Sequence, residues 1–480
     1  MVITKRKFNC ILFQAIIIII QLFVVIKVMK ETSNIDYALI FLSWICFLSF
    51  VVEVLLWKYL SKELLCPYIV FLSVLFVFCC GQSIGWALGI DLGGQDLWFR
   101  HDFGMDHAWL IKGLAYSMLS VSCFHTGAII NYGGEQIRKN LWRSENVIEV
   151  YNLIAKPLLL LCIPAFVINI LQTVLAVATG GYAAYYEVLE SRSAIFTLFG
   201  YIDDYYEPCL LLLLIANRDK KQTKFIIIGF MLLEAICQLY IGGRSGAVMT
   251  VLGVVLAIHY FVRPFSSKDI VRLGTLGYIG LALLNAIEKT RNTIGKGIGD
   301  VLNAIGVSFF DAIGHFVGEL GWSMSSTIWT MMLVPKTSDY RHGVSYLASL
   351  LVPIPNVGIW KVHPAKLYAN IGDWLEKALN YDHGIGYSMV AESYINFGWF
   401  GLIVMFVFGL ILVRFLARVK RVNTENDILG ATFQILIIMT IMKSLVRSSF
   451  SNSMRSIVYV LIPIYLILSY KLNKKMEEIK

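Results

Sequence analysis

Charged side chains are scarce in this chain. They make up 15% of its 480 residues, against about 25% in ordinary soluble domains. Because a membrane span needs about 20 consecutive apolar residues, the chain offers about twelve candidate spans. They cover roughly residues 8–28, 36–57, 66–89, 108–131, 156–178, 194–217, 224–241, 244–262, 270–288, 391–413, 428–446 and 455–470. The composition excludes a soluble protein and predicts an all-α polytopic membrane protein, since lipid cannot satisfy open backbone groups.

The chain also lacks the cysteine spacing of a disulfide framework or a zinc site. Nine cysteines are scattered over the predicted spans, and none lies between residues 289 and 386. We therefore expect nearly all of them to serve buried packing. The glycine run at 295–299 follows a membrane span rather than a strand and lacks the P-loop spacing, so it is no nucleotide motif.

The net charge of +9 does not indicate nucleic acid. More than half of the 41 lysines and arginines fall in short turns and tails that alternate with the remaining connections, as the positive-inside rule requires. This distribution predicts that both termini are cytoplasmic and that the number of spans is even. The long connection before the last three spans then faces outward.

Linkers, low-complexity segments and internal repeats are also missing. The sequence predicts a single integral membrane domain, 1–480, which contains one large extracytoplasmic loop, 289–386. Within the loop, residues 298–334 are rich in apolar side chains and predict amphipathic helices on the membrane or lining a cavity, or a re-entrant segment. Such a loop suits a protein that acts on a large polar substrate outside the cytoplasm.

A tight glycine turn, Gly242-Gly-Arg-Ser-Gly246, joins the seventh and eighth predicted spans. A helix N-terminus there would present free N–H groups outward and attract an anion. Arg244 adds a bidentate fork for phosphate. The functional interpretation is a clamp on a lipid-linked diphosphate, and the alternative is an ordinary turn with an interfacial arginine.

Other arginines on the predicted outer side form a second set of candidate anion ligands. Their alternative role is to anchor helix ends at the interface. The members of the set are Arg192, Arg291, Arg341, Arg447 and Arg455.

Candidate catalytic groups are Glu392, His342 and Asp204. Glu392 opens the tenth predicted span and could act as a general base, or it could simply suit the helix dipole. Asp204 stands with Asp203 and Glu207 in a predicted span, where acids are rarely inert. These three acids could supply a base, bind sugar, pair with arginines or line a cation pathway, and Pro208 predicts a break in their helix.

The span arrangement, the turn at 242–246 and the segment Ala391-Glu-Ser-Tyr-Ile-Asn-Phe-Gly398 together resemble the bacterial oligosaccharide repeat-unit polymerases, the Wzy-type O-antigen and capsule polymerases. The resemblance covers most of the chain, but its two motifs are short. Only Arg244 and Glu392 match motif positions.

The resemblance implies a GT-C-like glycosyltransferase that inverts configuration without a metal or cofactor. Its substrates would be undecaprenyl-diphosphate-linked oligosaccharides on the outer face of the bacterial cytoplasmic membrane. The growing glycan would pass to the non-reducing end of a new lipid-linked unit, and a chain-length regulator is a candidate partner. The alternatives are an O-antigen ligase-type transferase and a lipid-linked oligosaccharide flippase, although a transporter usually shows repeats that this sequence lacks.

Overall fold

The computed structural model describes residues 4–30, 34–100, 104–133, 144–190, 194–241, 243–291, 311–356, 358–381, 385–417 and 425–478. These residues form helices and connections, with no strand among them. In chain order the α-helices are α1 (Lys5–Val28), α2 (Ile35–Ser61), α3 (Pro67–Cys80), α4 (Gln82–Leu88), α5 (His107–Asn131), α6 (Glu145–Glu190), α7 (Ala194–Asp203), α8 (Tyr206–Ala216), α9 (Lys221–Ile241), α10 (Arg244–Ala257), α11 (Ser267–Arg291), α12 (Ala312–Gly321), α13 (Met324–Leu333), α14 (Val344–Ser349), α15 (Ile371–Leu379), α16 (Met389–Phe397), α17 (Gly401–Leu416), α18 (Glu425–Arg447), α19 (Phe450–Ser456) and α20 (Ile462–Glu478).

The helices confirm the all-α membrane architecture. Within the described residues, nine helical segments are long and apolar enough to cross a bilayer, or ten if the pair α3–α4, bent by 72°, is one span. These ten coincide with ten of the predicted spans. The other two predicted spans, 194–217 and 270–288, correspond to the broken pair α7–α8 and to α11, which are not among the candidates. The count of twelve therefore stays a prediction.

The chain divides into two compact units. The first comprises residues 1–134, 271–417 and 444–455. Its central helix is α5, whose Tyr116 and Phe124 are fully buried. Gly127 on α5 and Gly409 on α17 lie where a Cβ would collide with backbone of the other helix, so glycine permits their close approach.

Most described residues of the predicted loop pack into this first unit. α12 packs against α3 and α4, and α13 packs against α5 and α16. The α13 side chains Met324, Ile328 and Trp329 are buried, and the Thr330 and Tyr387 hydroxyls are hydrogen-bonded at 2.8 Å. These described parts of the loop are therefore folded structure, while the placement of the loop outside the cytoplasm stays a prediction.

The second unit comprises residues 135–270, 418–443 and 456–480. α6 packs against α7, α8, α9 and α20, and α9 packs against α10. The buried ring of Tyr206 on α8 stacks on Phe166 of α6 with centroids 4.0 Å apart. The helix break predicted from Pro208 is confirmed, because α7 ends at Asp203 and α8 begins at Tyr206, with Pro208 in its first turn.

The expectation for the cysteines is confirmed. All nine are free thiols, and seven are buried, with only Cys123 and Cys237 partly exposed.

Candidate active site

A polar cavity of about 260 Å³ lies within the second unit. Four carboxylates line it, together with amide, hydroxyl and methionine side chains. The lining residues are Asp203, Asp204, Glu207, Glu234, Gln238, Gly246, Met249, Thr250, Met439, Thr440, Ser456 and Val460. We call this space the acid cavity.

Three of the four carboxylates lie at or beside the break between α7 and α8. Asp203 ends α7, and Glu207 lies in the first turn of α8, where a negative charge is favoured by the free N–H groups of the helix. Asp204 lies in the break itself and its side chain is exposed. Residues three and four apart are neighbours on a helix surface, so the three acids lie close together at this break and line the same space.

Neighbouring donors hold two of these carboxylates in place. Asn169 Nδ2 on α6 donates to Asp203 Oδ2 at 2.8 Å. Thr250 Oγ1 on α10 donates to Glu207 Oε1 at 2.5 Å. Such fixed carboxylates are suited to accept hydrogen bonds from sugar hydroxyls.

The glycine turn lies at the edge of the same cavity. α9 ends at Ile241 and α10 begins at Arg244, so the helix start predicted at this turn is confirmed. The Gly243 N–H donates to Gln238 O at 2.7 Å, and Gly246, in the first turn of α10, lines the cavity. The start of α10 is thus brought next to the acids of α7 and α8.

The sequence interpretation missed Glu234, Gln238 and Thr250. Glu234 and Gln238 lie one turn apart on α9, and Gln238 Nε2 donates to Glu234 Oε1 at 3.1 Å. The available signal was that Glu234 is the single acid in the predicted span 224–241, a position where acids are rarely inert.

Glu392 belongs to a different cluster, in the first unit. Its side chain is fully buried. Ser345 Oγ donates to its Oε1 at 2.8 Å, and the Phe450 backbone N–H donates to its Oε2 at 2.7 Å. Asn396 Nδ2, one turn later, bonds Ser345 Oγ at 2.7 Å. The carboxylate therefore links α16 to α14 and to the start of α19.

Arg341 and His342 lie beside this cluster, at the turn that leads into α14. Their backbone N–H groups donate to Ile395 O and Asn396 O at 2.9 and 3.0 Å. His342 is exposed and has a φ of 48°, a left-handed conformation that is uncommon for a non-glycine residue. Asn396 Oδ1, which accepts the next N–H along the chain, helps to hold this turn.

The Arg341 guanidinium faces the loop helices. Its Nη1 donates to Tyr368 O at 2.7 Å, and its Cζ lies 5.5 Å from the centre of the Trp374 ring. Burial lowers the pKa of Arg341, and the nearby Tyr387 and Glu392 partly offset that effect. Arg341 and Glu392 are thus electrostatic neighbours.

The other predicted arginines that the structure describes lie on separate helices. Arg447 ends α18, with its Cζ 5.9 Å from the centre of the Phe78 ring. Arg455 lies in α19, and Arg291 is the last residue of α11. Arg192 lies outside the described residues. The side chains of Arg244 and Arg291 also lie outside the described part of the structure.

The acid cavity combines chemical groups of two kinds. It offers carboxylates that can orient hydroxyls and accept a proton, next to a helix N-terminus that favours an anion. In the described part of the chain, no three His, Cys, Asp or Glu side chains are arranged to hold a metal ion.

Helices and cavity together define a multi-pass α-helical membrane protein with a carboxylate-lined polar site. A family model described as O-antigen polysaccharide polymerase Wzy matches residues 10–476. The chain therefore belongs to the O-antigen polysaccharide polymerase Wzy family, which confirms the resemblance seen in its motifs. No curated protein and no solved structure matches the chain.

Membership of this family makes the protein a membrane polymerase of the glycosyltransferase kind. It acts on lipid-linked O-antigen repeat units.

Proposed function

We propose that the protein joins undecaprenyl-diphosphate-linked repeat units on the outer face of the cytoplasmic membrane. The growing glycan leaves its lipid diphosphate and is transferred to the non-reducing end of a new lipid-linked unit. The transfer inverts the anomeric configuration and uses no metal or cofactor. The observation that carries the proposal is the acid cavity beside the start of α10, in a chain of the polymerase family.

The acid cavity receives the acceptor sugar in this proposal. Asp203 and Glu207, held by Asn169 and Thr250, accept hydrogen bonds from its hydroxyls. Asp204 is the proposed base because it is exposed and lies in the helix break that lines the cavity. It takes the proton of the attacking hydroxyl as the new bond to the anomeric carbon forms.

The start of α10 receives the donor diphosphate. As the anomeric C–O bond breaks, its electron pair goes to the departing undecaprenyl diphosphate. The α10 N–H groups and Arg244, the first residue of that helix, stabilise this negative charge in the transition state. In this proposal, carboxylates bind the acceptor hydroxyl, and the start of α10 binds the leaving group.

Glu392 acts as a positioning residue in this scheme. Both of its oxygens accept hydrogen bonds from groups of the same unit, Ser345 Oγ and the Phe450 N–H. It therefore fixes how the described part of the loop joins α16 and α19. Arg341 and His342, on the adjoining turn, remain proposed contacts of the polymer.

The test compares wild type with Asp204→Asn. Each purified protein is incubated with a synthetic undecaprenyl-diphosphate repeat unit, and the products are separated by length. We expect a ladder from wild type and at least a hundredfold slower growth from the variant, since a general base contributes about 10²–10⁴-fold.

Asp219→Asn is the matched control, because Asp219 is an exposed aspartate in the turn between α8 and α9. A ladder that survives Asp204→Asn would remove Asp204 as the base. If wild type made no polymer but moved lipid-linked units across vesicles, the flippase alternative would replace the proposal.

A further inference from the structure

A second buried carboxyl, Glu53 of α2, takes no part in the proposed polymerisation. Its side chain is 1% exposed. Gln14 Nε2 on α1 donates to Glu53 Oε1 at 2.7 Å, and the same nitrogen lies 3.3 Å from Ser122 O on α5. One amide therefore ties three helices of the first unit together around this carboxyl.

The polar side of α1 extends beyond Gln14. Lys7, Gln14 and Gln21 recur at seven-residue intervals and are all buried. Gln21 Nε2 donates to Ser122 Oγ at 2.8 Å, and Lys7 Nζ donates to Tyr132 O at 3.0 Å. The face of α1 that packs inward thus carries three polar side chains beside buried Cys10 and valines, although the helix as a whole is apolar.

No cation pairs with Glu53 among the described residues. The ionisable groups that face it are Tyr68 and Cys80 from α3 and Cys123 from α5. His125, two residues after Cys123, is hydrogen-bonded to the Tyr68 hydroxyl. On α1, Lys7 lies two turns from Gln14. An ionised Glu53 would be an uncompensated charge between spans, which is costly in a membrane.

Gln14 Nε2 and the Ser122 hydroxyl both donate to Glu53, but two amide oxygens beside it lack a donor. The amide oxygens of Gln14 and Gln21 are fully buried, and no donor reaches either of them in the described part of the chain. A carboxylate only accepts hydrogen bonds, whereas a carboxylic acid also donates one. A protonated Glu53 would therefore provide a donor beside the amide oxygen of Gln14. The amide nitrogen of Gln14 already donates to the same carboxyl group.

We propose that Glu53 is a membrane-embedded proton-binding site. The folded protein holds it as a neutral carboxylic acid, which accepts from Gln14 Nε2 at one oxygen and donates from the other. The bound proton allows α1, α2 and α5 to pack around a polar centre. This inference does not depend on the polymerase chemistry.

Infrared difference spectroscopy tests the protonation state directly. Spectra of the purified full-length protein in lipid at neutral pH are compared between wild type and Glu53→Gln. We expect the variant to lose a carboxylic acid C=O band above the amide I band. Glu477→Gln is the control, since it removes an exposed carboxylate near the C-terminus and should lose only carboxylate bands.

A second variant keeps the test decisive if Glu53→Gln does not fold, which its thermal melting curve would reveal. Gln14→Leu leaves the carboxyl in place but removes its amide neighbour. It should shift the same acid band without abolishing it. Loss of a carboxylate band in Glu53→Gln, or an acid band that neither variant changes, would overturn the proposal.

Discussion

At the scale of single residues, hydrogen-bond donors hold three carboxylates in place, the buried Glu392 and the partly exposed Asp203 and Glu207. Glu392 receives a serine hydroxyl and a backbone N–H, whereas Asp203 and Glu207 receive an amide and a hydroxyl. Burial of an acceptor without such donors is costly. All three residues link separate helices through these bonds, but Glu392 is fully enclosed at a junction, whereas Asp203 and Glu207 line the acid cavity.

Glu392→Ala should therefore lower the stability of the folded protein and not only the rate of polymerisation. The substitution leaves the buried Ser345 hydroxyl and Phe450 N–H without their acceptor, at a cost of about 1–3 kcal/mol for each group. We expect a lower melting temperature of the purified protein in detergent. Glu392→Gln is the matched comparison, because its amide oxygen can still accept one of the two bonds and should restore part of the loss. A melting temperature equal to that of wild type would rule out the positioning role.

At the scale of helices, the candidate site lies at a break between two helices and at the start of a third. α7 and α8 are separated by a break at Asp204, and three acids at or beside this break line one space. The turn between α9 and α10 similarly puts a helix N-terminus beside them. The candidate site therefore lies where a membrane helix is interrupted, because backbone groups lose their helical partners there.

Arg244→Ala should weaken binding of the lipid-diphosphate donor. A charge-assisted hydrogen bond contributes about 1.5–3 kcal/mol, so we expect at least a tenfold rise in the donor concentration that gives half-maximal rate. Arg244→Lys should be intermediate, because lysine keeps the charge but loses the bidentate fork. The measurement is the initial polymerisation rate against donor concentration. Arg263→Ala is the control, since Arg263 forms an exposed ion pair with Asp269; an equal effect in that variant would argue against a specific clamp.

Gly409→Ala tests the close approach of α17 to α5. A Cβ at this position would meet the Phe124 carbonyl oxygen, and such overpacking costs about 1–3 kcal/mol. Gly229 on α9 has open space around it, so Gly229→Ala should be neutral or gain up to about 1 kcal/mol from helix propensity. Thermal melting of both variants in the same detergent separates the two cases. If both alanines behaved alike, the close approach would not stabilise the fold.

Sequence reasoning succeeded where a signal is local. The ten recognised spans follow from unbroken apolar runs, Pro208 indicated the break, and the turn at Gly243 predicted the start of α10. It failed for Glu234 and Thr250, which meet the α7 and α8 acids only after the helices pack. It could not tell that Glu392 is enclosed by Ser345 and the Phe450 backbone, since those partners are separated from it by 47 and 58 residues.

At the scale of the whole molecule, the family and the helices agree on a membrane polymerase. The described residues of the predicted loop belong to the first unit, where α12 and α13 pack against other helices, while the acid cavity lies in the second. The single-domain organisation follows from the lack of linkers, the cytoplasmic termini and outward loop follow from the charge distribution, and all three stay predictions. So does a chain-length regulator as partner.

The central claim is that lipid diphosphate leaves each time a repeat unit is added. The most direct measurement is to count free undecaprenyl diphosphate against new glycosidic bonds while the purified protein extends a synthetic lipid-linked unit. We predict a ladder spaced by one repeat unit, with one lipid diphosphate released for each bond and one lipid remaining on every chain. Transfer of a glycan only once, to an acceptor that carries no lipid diphosphate, would contradict the account and indicate a ligase.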